Sequence, residues 1–166
     1  MQVPSGITVE VSGGQIKVKG PKAELSRAYN PKVVNVKNEG GEITAISLGK
    51  ETRKAKAAAK SVEAHLKNMF KGVQGGFEKK LSVVFAHFPV ALEVKGDKLF
   101  IKNFLGEKTP RVATIRNGVK VVPSGQEITV SGNDKEAVGQ TANNIRRAAR
   151  ITNKDIRVFQ DGIYYS

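Results

Sequence analysis

The chain has 166 residues, no cysteine, and 28 lysines and arginines against 15 aspartates and glutamates, a net charge of +13. The lack of cysteine excludes a disulfide framework, a thiolate zinc site and a cysteine nucleophile, and fits a reducing interior. No apolar run approaches the roughly 20 residues of a membrane span, and no basic segment leads into an apolar stretch at the N-terminus. A soluble, cytoplasmic protein without membrane contact is expected.

The chain opens with alternation around a glycine turn. ITVEVSGGQIKVK (7–19) returns as VALEVKGDKLFIK (90–102), so Ile7, Val9, Val11, Ile16 and Val18 meet Val90, Leu92, Val94, Leu99 and Ile101. Each copy reads as a hairpin with one buried face, turning at Ser12-Gly13-Gly14 and at Gly96-Asp97. Further strands are predicted at 32–37 with 42–48, and at 112–122 with 127–131, where EIT (42–44) recurs as EIT (127–129).

The period then changes in both copies. Ala55, Ala58, Ala59, Val62, Leu66, Met69 and Phe70 recur at three and four, which predicts a helix over 51–71 stopped by Gly72. Its outer face is wholly basic: Arg53, Lys56, Lys60, Lys67 and Lys71. The second helix is predicted over 134–150, capped by Asn133 or Asp134, with Val138, Ala142, Ile145 and Ala149 inward. Closing strands are expected near 77–88 and 156–165. The fold class is therefore α+β, a tandem duplication of a small domain with antiparallel sheets and one helix around a single core. The expected domains are 1–82 and 83–166.

Both halves carry the charge: residues 1–83 hold 15 basic and 7 acidic groups, residues 84–166 hold 13 and 8. The excess is thus no detachable tail, and it predicts attraction to phosphate backbones or anionic surfaces. Catalytic signals are thin. His65 and His87 each stand alone beside apolar residues and read as packing, and no carboxylate pair or histidine pair has metal-ligand spacing. GVQGG (72–76) lacks the Gly-Lys-Ser/Thr ending of a nucleotide loop and follows a helix where such a loop precedes one. No cofactor is expected. The cluster Arg146, Arg147, Arg150, Lys154 and Arg157, with Asn143, Asn144 and Asn153 among them and Phe159, Tyr164 and Tyr165 following, suits contact with RNA. Guanidinium forks take phosphate oxygens, and amides and hydroxyls take 2′-hydroxyls or base edges. Two rival readings, an RNA-modifying or RNA-cleaving enzyme and a free translational regulator on messenger RNA, lack a general acid/base pair or a distinguishing motif.

RVFQDGIYY (157–165) after TNKDI (152–156), NMFKGVQGGF (68–77), AHFP (86–89), KNFLGEK (102–108) and VPSGITVEV (3–11) together resemble the large-subunit ribosomal protein L-six family in its archaeal and eukaryotic form. The Lys-Gly-Lys-Gly ending of bacterial members is missing, and the absence of cysteine with the stop at Ser166, without a basic tail, makes an archaeal member the expectation. The resemblance implies two similar α/β domains and binding to large-subunit ribosomal RNA near the sarcin–ricin loop and the base of the factor-binding stalk, mostly through the C-terminal domain. It implies neighbouring large-subunit ribosomal proteins and nearby translation factors as partners, a ribosomal location, and no homo-oligomer. The positions it carries over are Lys102, Asn103, Lys108, Arg150, Asn153, Lys154, Arg157, Asp161 and Tyr164, of which Asp161 also reads as a turn residue within the closing strand. Arg111, Arg146 and Arg147 complete the candidate set.

Overall fold

Period-two burial sets the strands of this computed structural model, which describes residues 1–39, 41–48, 52–155 and 157–166. The chain forms two units, Met1–Gly76 and Phe77–Ser166. In the first, β1 (Thr8–Ser12), β2 (Gln15–Lys19) and β3 (Glu24–Ala28) make an antiparallel sheet in chain order. Strand β4 (Val34–Glu39) pairs with β5 (Glu42–Ser47), and helix α1 spans Arg53–Gln74. The inward residues Val9, Ile16, Val18, Val34, Val36 and Ile43 meet Leu66, Met69, Phe70 and Val73 of α1 in one core. The lysines and arginine of the outer face of α1 are all exposed.

Thr52 caps α1, its side-chain oxygen accepting from Ala55 N at 3.2 Å. The helix runs past Gly72 to Gln74 and ends at Gly75. It continues because Val73 is fully buried against Gly20, where an added Cβ would come within 2.5 Å of the valine side chain. Strand β3 was not expected from the sequence: ELSRA contributes only half-buried positions inward, so its alternation is weak.

The second unit repeats the plan. Strand β6 (Phe77–Val84) opens it, and β7 (Ala91–Lys95), β8 (Lys98–Lys102) and β9 (Arg111–Thr114) form the three-stranded sheet. Strands β10 (Val119–Ser124), β11 (Glu127–Gly132), β6 and β12 (Gly162–Tyr165) form a four-stranded sheet in that order. Helix α2 (Lys135–Ala148) is capped by Asp134, which accepts from Glu136 N at 2.9 Å.

Three expectations change. The run 112–122 is two strands in different sheets, separated by a turn in which Gly118 adopts φ +76°. The strand after α1 does not close the first unit. It pairs on one edge with β11 and on the other with β12, so the division falls between Gly76 and Phe77 rather than between Ser82 and Val83. The last strand is short because 157–161 are held as a loop; Ile156, where it was predicted to begin, lies outside the described residues. In the first unit the edge of β5 is met by the first residues of the chain: Ile43 N donates to Met1 O and Val3 N to Gly41 O, each at 2.9 Å. Val83 N donating to Gln126 O at 2.7 Å is the counterpart in the second unit.

Helix α2 packs on β9, β11 and β6, with Val138, Ala142 and Ile145 fully or almost fully buried beside Leu81, Leu99, Ile101, Ile128 and Val130. Ile145→Ala removes three carbons from this closed core and is expected to cost the second unit about 2–5 kcal/mol. Val158→Ala, at a side chain 62% exposed, is expected to change stability by less than about 0.5 kcal/mol. Urea unfolding of the two variants checks the contrast.

Candidate nucleic-acid interface

The predicted basic cluster begins on the last turn of α2 and continues through the loop to β12. Arg146, Arg147, Arg150, Asn153, Lys154 and Arg157 are all exposed. Among the described residues, no carboxylate pairs with Arg146, Arg147, Arg150, Arg157 or Lys108. An uncompensated cation on a surface is free to replace a counterion at a polyanion.

Several internal contacts give the loop its shape. Asp155 accepts from Arg157 N at 2.9 Å through its side chain, and its carbonyl takes the N–H groups of Val158 and Phe159 at 3.2 and 2.9 Å. Asn153 sits in the left-handed region at φ 61°, a conformation asparagine tolerates better than most residues. Lys154 Nζ lies 4.7 Å from the centre of the Phe159 ring, and that ring stacks on His87 at 4.8 Å.

Behind the stack lies Asp161, 3% exposed. Its Oδ1 accepts from the backbone N–H of Ala86 at 2.9 Å and of His87 at 3.3 Å. Its Oδ2 is 2.7 Å from His87 Nδ1, and since an ionised carboxylate only accepts, Nδ1 carries the proton. Burial alone would raise the carboxyl's pKa. The bonds from Ala86 N, the His87 ring and His87 N outweigh it, holding the group below the usual carboxylate range. In the sequence His87 reads as packing, and Asp161 as a position shared with the family or a turn residue. Their pairing joins positions 74 apart in sequence, and neither residue's local context signals it.

The KNFLGEK stretch is a second support. Asn103 (φ 58°) and Leu105 (φ 52°) are left-handed around a 3₁₀ turn, Phe104–Gly106, whose Phe104 is buried. Asn103 Nδ2 donates to Pro89 O at 3.0 Å, so this candidate side chain tethers the turn to the AHFP segment. Gly106 (φ +75°) lies under Phe88, whose ring would be 3.3 Å from an added Cβ.

Arg111 also turns inward. Its guanidinium forks onto Glu107 at 2.8 and 2.6 Å and sits 4.5 Å from the Phe104 ring centre. Its Nη1 donates to Ala148 O at 3.1 Å and Arg150 O at 2.8 Å. Arg111 therefore caps the C-terminal end of α2 and positions Arg150, and the same fork holds the Glu107 carboxyl below its ordinary pKa. Lys102 pairs with Glu93, which Lys95 also meets at 3.0 Å. The bonds from Lys102 first and Lys95 second keep that half-buried carboxyl below its ordinary pKa. Ion pairs at the surface are weak, and Lys102, itself half exposed, can leave for a phosphate.

Tyr164 is 48% exposed, but its hydroxyl donates to Gln160 O at 3.1 Å and its ring covers Gly162. Asn144, an amide in the cluster, donates to Thr114 O at 3.0 Å and anchors α2 to β9. Thr141, fully buried, accepts from Arg116 N at 3.1 Å in the same seam. The candidate set thus separates into outward cations, most of them on the last turn of α2 and the residues after it, and inward residues that shape that surface.

The Ribosomal protein L6 family matches this sequence in two segments, residues 3–76 and 88–162. The chain belongs to that family. Each matched segment falls within one of the two units, as a duplicated domain requires. Relatives named large ribosomal subunit protein uL6 extend the likeness over nearly the whole chain. Those of Ignicoccus hospitalis and Methanothrix thermoacetophila are each 44% identical, and that of Aeropyrum pernix is 43% identical. All three matches cover 99% of this chain and 90%, 93% and 90% of the relatives, respectively. The relatives are archaeal, in keeping with the archaeal character read from the sequence.

The Asp161 carboxylate generates a pH prediction. Its folded pKa lies below the unfolded one, so its contribution is complete above the ordinary carboxylate range. That contribution fades as pH falls through the folded value. Asp161→Asn is expected to lower stability at pH 7 by about 1.5–3 kcal/mol. The gap between the variant and the parent narrows as pH drops below about 4. Thermal or urea unfolding across pH 2–7 measures both.

Proposed function

We propose that this protein is a non-catalytic structural constituent of the large ribosomal subunit. It binds large-subunit ribosomal RNA mainly through its second unit. The single observation that carries this reading is the set of three exposed cations after α2, Arg150, Lys154 and Arg157, with the Arg150 carbonyl held by Arg111 and Lys154 over a Phe159 ring stacked on His87. Side chains held in advance lose little conformational entropy on binding, so their charges act at full strength.

In this reading Arg150, Lys154 and Arg157 take phosphates directly, with Arg147 and Lys108 beside them and Lys102 released from Glu93. Asn153 offers an amide to a 2′-hydroxyl or a base edge. Arg111, Asn103 and Tyr164 act through the backbone they hold. Affinity then comes from counterion release, and specificity from the match between a fixed loop and folded RNA. The family likeness favours a site near the sarcin–ricin loop and the base of the factor-binding stalk, with neighbouring ribosomal proteins and translation factors close by. The basic face of α1 remains available to RNA or to a protein neighbour. The protein works in the cytoplasm, as part of the ribosome.

Arg150→Ala with Arg157→Ala is expected to weaken binding to large-subunit ribosomal RNA. The slope of log affinity against log salt falls by about 1.4–1.8. Filter binding from 50 to 300 mM salt reads both quantities, and unchanged affinity together with an unchanged slope overturns the proposal.

A further inference from the structure

Lys79, Arg146 and Tyr165 come from β6, α2 and β12 and meet at one exposed ring. Tyr165 is 44% exposed at the end of β12. Lys79 Nζ lies 5.0 Å from the ring centre and Arg146 Cζ 5.8 Å from it. Among the described residues, neither cation has a carboxylate partner and the Tyr165 hydroxyl has no hydrogen-bond partner. The contrast with other cations of this unit is informative. Lys95 and Lys102 share Glu93, and Arg111 is forked onto Glu107. Tyr164 next door spends its hydroxyl on Gln160 O.

Strand pairing brings these groups together. Lys79, Leu81 and Val83 alternate onto one face of β6, and Tyr165 is the register partner of Leu81. Leu81 and Val83 are buried in the core. Lys79 and Tyr165 therefore lie on the core-side face of the sheet, where that face emerges into solvent, and Arg146 reaches the ring from the last turn of α2. Two like charges beside one ring repel each other. A contact between a cation and an exposed aromatic ring contributes only about 0.5–1 kcal/mol and does not neutralise the charge. The groups left free are all donors: an ammonium, a guanidinium and a phenol. Such a set fits the anionic oxygens of a phosphodiester, whereas a base stacking on Tyr165 would have to displace the cations over its ring.

We propose that Lys79, Arg146 and Tyr165 form a second phosphate-contact site for RNA, separate from the 150–157 loop. The inference rests on the RNA-binding reading of this unit and adds two residues, Lys79 and Tyr165, to its interface. The two cations hold backbone phosphates of one RNA strand, and the Tyr165 hydroxyl donates to a phosphate oxygen.

The test compares the parent protein, Lys79→Gln/Arg146→Gln and Tyr165→Phe on protein-free large-subunit ribosomal RNA by filter binding across salt. The double variant is expected to lower the log–log salt slope by about 1.4–1.8, the value for two lost phosphate contacts. Tyr165→Phe keeps the ring and both cations. It is expected to leave the slope unchanged and weaken binding by roughly 2- to 12-fold, the effect of one hydrogen bond. Thermal unfolding of each variant verifies the fold. Parental slope and affinity in the double variant overturn this site, as does parental affinity in Tyr165→Phe, while loss of slope in Arg150→Ala/Arg157→Ala leaves the main reading standing. A parent protein without salt-dependent binding overturns both.

Discussion

The Asp161 carboxylate is buried, yet it stays ionised because the N–H groups of Ala86 and His87 and the His87 ring converge on it. A buried carboxylate with no such donors would take up a proton or unfold its surroundings. The pair fixes both ends of an arrangement: the AHFP segment that leaves β6 and the loop that enters β12. Phe159 is stacked on His87, and Lys154 rides on Phe159. The position of Lys154 is therefore tied, through Phe159 and His87, to one buried anion. This division of labour is general in recognition surfaces, where outward groups touch the ligand and inward ones preorganise them.

Arg111 performs the matching task at the other end of the loop. Its charge is shared among Glu107 and two carbonyls at the end of α2. Cations at helix C-termini are favourable because the terminal carbonyls there carry partial negative charge. A residue type normally associated with phosphate contact thus serves the scaffold, and Arg150 projects outward because Arg111 holds its carbonyl.

The duplication is faithful in register but unequal at its edges. In the second unit β6 pairs with β11 from Phe77 to Ser82, and β12 adds a further strand on its other edge. In the first unit, among the described residues, the edge of β5 away from β4 is met by the opening residues of the chain, through the Met1 and Val3 backbone bonds. The extra strand gives the second unit the face on which Tyr165 and Lys79 meet, and the first unit has no counterpart to it among the described residues. The same folding plan therefore offers different surfaces in its two copies.

Much of this was legible in the sequence. Alternation located the hairpins 7–19 and 90–102, and the three-and-four spacing of Leu66, Met69, Phe70, Val138 and Ile145 located both helices, because buried faces impose those periods on any sequence. The candidates between 146 and 157 followed from the clustering of basic residues there, while Lys102, Asn103 and Lys108 came from the family resemblance. Strand β3 escaped because its inward positions are only half-buried, and β6 was assigned to the wrong repeat because pairing partners are chosen across the sheet, not along the chain. Which basic residues face outward was equally hidden. Arg111 and Arg150 look alike in sequence, and only the contacts of Arg111 with Glu107 and with the Ala148 and Arg150 carbonyls decide that one shapes the surface and the other presents it. Composition and period determined a basic, doubled α+β scaffold; long-range hydrogen bonds between distant residues decided where its charge points.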